Sequence, residues 1–122
     1  MRELSVRDQT ILEAIVEHCQ SIANRLERFD IDKDVFTADA ALREMLLFPL
    51  LQIGELANRL SEGFTQTHDE IPWRSVVGLR NVVVHKYNAL DSDWVWDTIT
   101  NDLPPLNNCC ELALNANEGD DK

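Results

Sequence analysis

Apolar residues recur at helical spacing along the first part of the chain. In SVRDQTILEAIVEHCQSIANRLERF, residues 5–29, they return every three or four positions, which is the period of one helix face. Ser5 and Asp8 stand where a capping box would satisfy the first backbone N–H groups of a helix. The pattern predicts a long first helix over these residues.

A second apolar stretch, Ala40 to Leu60, predicts a second helix with a broad apolar face. The polar segment DIDKDVFT, residues 30–37, is expected to connect the two helices, and Thr37 or Asp39 is a candidate for the second N-cap. Pro49 lies inside the second helix, where it removes a backbone N–H and crowds the preceding turn. A kink is therefore expected there.

A third helix is predicted after a loop. Gly63 is expected to end the second helix, TQTHDEIPW (residues 65–73) has the composition of a loop, and Pro72 suits the first turn of the next helix. The segment NALDSDW, residues 88–94, is expected to break this third helix.

The remaining sequence predicts further helix. Asp91 or Ser92 is a candidate cap for a fourth helix in DWVWDTITNDL, residues 93–103. Pro104 and Pro105 would interrupt or restart it, and LNNCCELAL completes a last helical stretch.

The whole pattern predicts an all-α bundle of four or five helices, because no segment alternates apolar and polar residues as a strand does. The helical domain is expected to cover residues 1–115. Residues 116–122 are acidic and are expected to form a short disordered tail.

Length and composition fit one globular domain of 122 residues, with 44% hydrophobic and 27% charged residues. The opening MRELSVRDQT lacks the apolar core of a signal peptide, and no apolar run is long enough to span a bilayer. The three cysteines include no C-x-x-C pair, which favours reduced thiols. We therefore expect a cytoplasmic protein without membrane contact.

The charge distribution points to one segment of the chain. The formal net charge is −11, which argues against binding nucleic acid because phosphate contacts depend on Lys and Arg. Residues 71–90, however, contain Arg74, Arg80 and Lys86 and no acidic residue. We expect an anionic substrate to bind at this basic segment, which also carries Asn81.

The sequence RNVVVHKY, residues 80–87, concentrates the candidate chemistry. Asn81 and His85 are four residues apart and share one stripe of a helix, whereas Arg80 and His85 diverge by roughly 140°. The three valines are expected to face the core. The alternative is that His85 only interacts with the helix dipole and that Tyr87 is an ordinary half-buried aromatic residue.

Other candidate sites are weaker. No pair of strong metal ligands has helical spacing, so we expect no metal and no cofactor. Trp73, Trp94 and Trp96 could stack on bases, but core or interface positions are favoured. Glu55 and Arg59 have the i,i+4 spacing of an exposed ion pair.

The segment GLRNVVVHKYNALDSDWVWDTITNDLPPL resembles the third and fourth helices of HepT-like proteins, a branch of the HEPN superfamily. The family motif R-x4-H-x-Y is matched by Arg80, His85 and Tyr87. LLQIGELANRLS and IPWRSVVGLRN are also similar to family segments, and the resemblance covers roughly residues 5–115. Pro49 departs from the helical residue usual in the family at that place.

The resemblance implies a fold, an activity and a partner. HepT-like proteins are all-α toxins of toxin–antitoxin modules, and HEPN toxins are typically metal-independent ribonucleases that act as C2 homodimers. Arg80 and His85 would be catalytic, and Asn81 would orient the histidine or the RNA. A small MNT-type nucleotidyltransferase would act as antitoxin by attaching AMP to Tyr87.

The chemistry of RNA cleavage suits these residue types. RNA supplies its own nucleophile, the 2′-OH, so the protein needs a group that moves a proton and a fixed positive charge. A second interpretation stays open, in which the chain is a non-catalytic binding subunit of a nucleotidyltransferase complex. The acidic net charge favours that alternative, and the intact motif favours the ribonuclease.

Overall fold

The computed structural model describes the backbone of residues 4–120 except 86–88, and the side chains of residues 4–81 and 92–117. The elements are α1 (Val6–Arg28), α2 (Lys33–Ala38), α3 (Ala40–Ala57), α4 (Glu62–Thr67), α5 (Trp73–His85), α6 (Ala89–Asp97), a π-helical segment (Thr98–Asp102) and α7 (Leu103–Asp120). Every element in these described residues is helical, which confirms the predicted all-α fold.

The long first helix is confirmed. The Ser5 side chain accepts a hydrogen bond from the backbone N–H of Asp8 at 2.9 Å, as an N-cap does. The Asp8 carboxylate does not complete a capping box. It is buried and accepts hydrogen bonds from the backbone N–H and the hydroxyl of Ser61, at 3.1 and 2.6 Å. This contact joins the start of α1 to the start of α4.

The connection before α3 contains a short helix that the sequence analysis missed. Asp32 caps α2 by accepting from the N–H of Val35 at 2.9 Å. Asp39 caps α3 by accepting from the N–H groups of Ala41 and Leu42, so it was the correct candidate and Thr37 was not. Six residues make too few turns to show an apolar period, which explains why α2 was taken for a loop.

The end of α3 also differs from the prediction. The helix ends at Ala57, and Gly63 lies inside the short helix α4, so this glycine does not end α3. Pro49 is buried within α3, and the helix continues on both sides of it. The predicted kink stays a prediction.

The predicted start of the fourth helix is wrong. Helix α6 begins at Ala89, so Asp91 and Ser92 lie within it and neither is its N-cap. The π-helical segment follows, and the helical backbone runs into α7 without a break, because Asp97 and Leu103 both have right-handed helical angles and the Leu103 N–H donates to the Thr98 carbonyl. Pro104 and Pro105 lie just after Leu103, so neither interrupts the helical backbone, and the departure from α-helical geometry is the π-helical segment before them.

The last helix runs past residue 115, where the sequence analysis placed the end of the domain. The backbone is helical through Asp120. The Asn117 side chain accepts from the N–H of Leu4 at 3.2 Å and donates to Gln9 at 3.3 Å, so residues 116 and 117 belong to the packed bundle. The predicted disordered tail is wrong for this part. The domain boundary stays a prediction.

One hydrophobic core lies between α1, α3, α5 and α7. The largest fully buried side chains, of which α1 and α3 contribute most, include Leu12, Ile15, Phe36, Leu46, Leu50, Ile53, Val76, Leu79 and Leu106. Cys19, Cys109 and Cys110 are free thiols buried in this core. In the part of the chain that the structure describes, no helix combines the length and hydropathy needed to cross a membrane.

Helices α3 and α5 touch each other at backbone level. A Cβ placed on Gly54 would lie 2.8 Å from the backbone N of Arg80 and 3.3 Å from the carbonyl oxygens of Val76 and Val77. These neighbours are backbone atoms, which cannot rotate away. Gly54 is therefore the residue that lets α5 lie this close to α3.

This contact predicts different outcomes for two glycine substitutions. Gly54→Ala should lower the free energy of unfolding by about 1–3 kcal/mol, because α5 must move away from α3. Gly63→Ala is the matched control, since a Cβ there meets no atom within 4 Å. It should be neutral or stabilise α4 by up to about 1 kcal/mol.

Chemical denaturation of the two variants and the wild type measures both changes. Equal stability of Gly54→Ala and wild type would contradict the close contact between α3 and α5.

Candidate functional site

The candidate site lies on α5, which is held by its apolar face. Val76 and Leu79 are fully buried, and they point to the core shared with α3. The valines at 82–84, which were expected to face the core, have side chains outside the described residues. Trp73, at the start of α5, donates its indole N–H to the carbonyl of His68 at 3.0 Å. The start and the middle of α5 are thus held by Trp73, Val76 and Leu79.

Arg80 forms an ion pair with Glu55 of α3. The Arg80 Nε lies 3.0 Å from Glu55 Oε1, and the two side chains are 40% and 42% exposed. Glu55 is thus not paired with Arg59, as its spacing had suggested. The two charges meet because Gly54, the neighbour of Glu55, brings the backbone of α3 against Arg80.

Sequence reasoning did not assign Glu55 to the site. The signal that could have found it is the Gly-Glu pair inside a helix that is otherwise largely apolar. A glycine inside a helical pattern often marks a close approach of another backbone. The charged residue beside it is then placed next to whatever approaches.

A second side of α5 is exposed. Arg74 and Asn81 are exposed and lie seven residues apart, with Gly78 between them on the same stripe. Asn81 is one residue after Arg80 and points about 100° away from it around the helix. The structure therefore separates the predicted residues into Arg80, which faces α3, and the exposed stripe of Arg74 and Asn81.

Three predicted residues cannot be placed fully. His85 is the last residue of α5 and lies four positions after Asn81. Its backbone is described, but its side chain lies outside the described residues. Lys86 and Tyr87 lie outside them entirely. Their roles stay predictions.

The tryptophans divide into two groups. Trp73 contacts the Phe64 ring edge-on, and Trp96 packs against Phe36, so both serve the core as the sequence analysis favoured. Trp94 is 38% exposed, and its ring lies 3.5 Å from the position that a Cβ on Gly78 would occupy. An exposed aromatic ring thus borders the Arg74–Asn81 stripe.

The thiols and metal ligands form no second site in the described residues. Burial raises the pKa of the Cys19 thiol from 9.0 to about 12 and the pKa of the Cys109 thiol to about 11. Burial raises the pKa of the Cys110 thiol as well. These thiols stay protonated near neutral pH and are poor nucleophiles. Among the side chains that the structure describes, no three His, Cys, Asp or Glu residues come together as metal ligands would.

A cavity of about 390 Å³ lies elsewhere, between the start of α1, α4 and α7. Asp8, Phe64 and His68 contribute to its walls, and none of the predicted site residues does. Asp8 already receives two hydrogen bonds from Ser61, and the His68 ring stacks on Phe64. The polar groups of this cavity therefore have structural partners. The surface of α5 remains the better candidate.

Comparison with known proteins agrees with the resemblance found in the sequence. The family model described as "Ribonuclease HepT-like" matches residues 15–113. A Methanocaldococcus jannaschii protein named "Putative RNase" is 30% identical over 84 residues, which cover 69% of this chain and 77% of that protein.

Two further relatives carry similar names. A Caldanaerobacter subterraneus protein named "Putative RNase" is 27% identical over 95 residues, covering 78% of this chain and 83% of that protein. The "Probable ribonuclease HepT" of Thermococcus cleftensis is 31% identical over 71 residues, covering 58% of this chain and 64% of that protein. No solved structure matches the chain. The family match spans α5 and all the helices that pack on it, and by that match the chain belongs to the ribonuclease HepT-like family.

Proposed function

We propose that this chain is a metal-independent endoribonuclease and the toxin of a toxin–antitoxin module. The observation that carries the proposal is the placement of Arg80, half exposed beside the last turn of α5 and held by Glu55 at 3.0 Å. Membership of the ribonuclease HepT-like family and relatives named as RNases support the activity.

The proposed reaction uses the 2′-OH of RNA as the nucleophile. The His85 imidazole takes the proton of the 2′-OH, whose oxygen attacks the adjacent phosphorus. The P–O bond to the 5′ oxygen breaks, and that oxygen takes up the proton now held by the His85 imidazolium. The products are a 2′,3′-cyclic phosphate and a 5′-OH. Arg80 stabilises the extra negative charge on the phosphate oxygens in the transition state.

Binding is proposed along the exposed stripe of α5. Arg74 and Asn81 are exposed there, and Lys86 follows in the sequence. The Arg74 guanidinium would bind a phosphate of the RNA, and the Asn81 amide would orient the substrate or the histidine. These contacts are few, and the net charge of −11 adds no general attraction for RNA.

A C2 homodimer is proposed because one Arg–His pair makes a sparse active site. In a two-fold dimer, two copies of the motif would face one cleft and double the positive charge there. An exposed apolar residue supports an interface on α3. Phe48 is 62% exposed and lies seven residues before Glu55, on the same side of the helix.

Regulation is proposed to act at Tyr87 through an MNT-type nucleotidyltransferase antitoxin. AMP attached to the phenolic oxygen, two residues after His85, would add bulk and negative charge where the RNA phosphate binds. Repulsion between like charges and occlusion would then act together.

The alternative function is a non-catalytic binding subunit of a nucleotidyltransferase complex. The net charge of −11 favours it, because an acidic surface repels RNA. The two functions differ in whether the purified chain cleaves RNA.

The first prediction from this proposal concerns catalysis. Arg80→Ala and His85→Ala should each abolish cleavage of an RNA oligonucleotide while the protein stays folded, because each removes one of the two groups that drive the reaction. His18→Ala and Arg59→Ala, in α1 and after the end of α3, are the matched controls and should keep the wild-type rate.

Cleavage should persist in EDTA and leave a 2′,3′-cyclic phosphate. Loss of activity on chelation, with recovery on adding a divalent cation, would contradict the metal-independent mechanism.

The second prediction concerns assembly. Light scattering should give about twice the chain mass of 14.0 kDa. Phe48→Glu should yield monomers with little ribonuclease activity, because a charge would be buried in the interface. Leu112→Glu is the matched control, since Leu112 is 60% exposed but lies on α7. An active wild-type monomer would rule out a site shared by two chains.

The third prediction concerns Tyr87. Co-expression with the cognate nucleotidyltransferase should add the mass of AMP to the peptide that contains Tyr87, and RNA cleavage should fall in proportion. Tyr87→Phe should keep cleavage and escape silencing, because it lacks the phenolic oxygen. If the Phe variant is silenced as fully as wild type, inhibition comes from binding of the antitoxin alone.

A further inference from the structure

We propose that Glu55 is a positioning residue for Arg80, which it holds in the orientation that RNA cleavage requires. This inference rests on the proposed function, and it concerns a residue outside the R-x4-H-x-Y motif. The Glu55 Oε1 lies 3.0 Å from Arg80 Nε, so the carboxylate binds one defined edge of the guanidinium.

The edge that Glu55 binds determines what the rest of the group can do. A guanidinium has five N–H donors, of which one is on Nε and four are on the two Nη atoms. The ion pair uses Nε, and within the described side chains the Nη edge is left for the paired oxygens of a phosphate.

The backbone fixes the other end of the same side chain. Gly54 sets the distance between α3 and the backbone N of Arg80. Glu55 is the next residue of α3, so the neighbouring positions 54 and 55 hold Arg80 at its backbone and at its guanidinium. A long, flexible arginine is thus restrained at both ends before substrate binds, which lowers the entropy lost in reaching the transition state.

Stability alone does not account for the pair. Both partners are about 40% exposed, and an ion pair at this exposure contributes little to folding because water screens it. A carboxylate beside a catalytic arginine also reduces its attraction for RNA. A charge in this place therefore needs a benefit other than stability or affinity, and orientation of the guanidinium supplies it.

Three substitutions separate orientation from charge. Glu55→Ala removes the acceptor, Glu55→Gln keeps an oxygen acceptor without the charge, and Glu55→Asp keeps the charge on a shorter side chain. Glu13→Ala is the matched control, because Glu13 is exposed on α1 and its removal changes the net charge by the same amount. Arg80→Ala is measured in the same assay.

The readouts are kcat and KM for cleavage of an RNA oligonucleotide, the pH profile of kcat and the thermal unfolding midpoint. We expect Glu55→Ala to lower kcat roughly tenfold to a hundredfold, as a misplaced catalytic group does, and to leave KM equal to or below that of wild type, because the carboxylate no longer offsets the charge of Arg80. Glu55→Gln should recover most of this loss. The unfolding midpoint and the pH profile should match those of wild type and of Glu13→Ala.

Other results would overturn the positioning role. A wild-type kcat for Glu55→Ala would show that Arg80 needs no such restraint. A lower unfolding midpoint that accounts for the loss of activity would make the role structural. Loss of one limb of the pH profile in Glu55→Gln would make Glu55 a proton-transfer group.

An NMR measurement tests the ion pair independently of activity. The Arg80 Nε–H signal should exchange slowly with solvent in wild type and rapidly in Glu55→Ala. If wild type cleaves no RNA, or if Arg80→Ala cleaves normally, the proposed function fails and the positioning role fails with it, whatever the NMR signal shows. If Arg80→Ala is inactive but Glu55→Ala is not, only the positioning role fails.

Discussion

The contact between the backbones of α3 and α5 at Gly54 is the constraint on which the candidate site depends. Leu50 and Ile53 of α3 and Leu79 of α5 are buried in the core, so apolar packing draws the two helices together. A glycine then lets them approach until the position of a Cβ would be 2.8 Å from the Arg80 nitrogen. Nonspecific hydrophobic burial supplies the attraction, and one missing methyl group sets the distance.

The sequence predicted the long elements because their apolar period repeats over several turns. Residues 6–28 and 40–57 are helical as expected, and each begins at a cap, Ser5 or Asp39, that was named beforehand. The two six-residue helices, α2 and α4, were missed since each spans fewer than two turns. Such short helices are stabilised by their caps and by packing against the bundle, and neither contribution repeats along the sequence.

The sequence indicated Arg80 as a candidate residue but not the residue that pairs with it. Glu55 was assigned to Arg59 by a rule that considers only neighbours on one helix. Its partner, Arg80, is 25 residues away in the sequence and is brought close by the crossing of α3 and α5. Two exposed ion pairs of the same kind have nearly equal energies, so the one that forms is decided by the fold and not by local spacing.

The negative net charge of the chain makes the Glu55–Arg80 ion pair important for the proposed function. An acidic protein gains little affinity for RNA from its overall field, because most of its surface repels phosphate. Under the proposed function, recognition must then rely on the few cations of α5 and on their orientation. Under the same proposal, the Glu55 carboxylate offsets part of the charge of Arg80 and weakens RNA binding further. The guanidinium, oriented by Glu55, would still bind the transition state, in which the phosphate carries more negative charge than in the bound substrate. An interaction that is stronger in the transition state than in the ground state is the kind that accelerates a reaction.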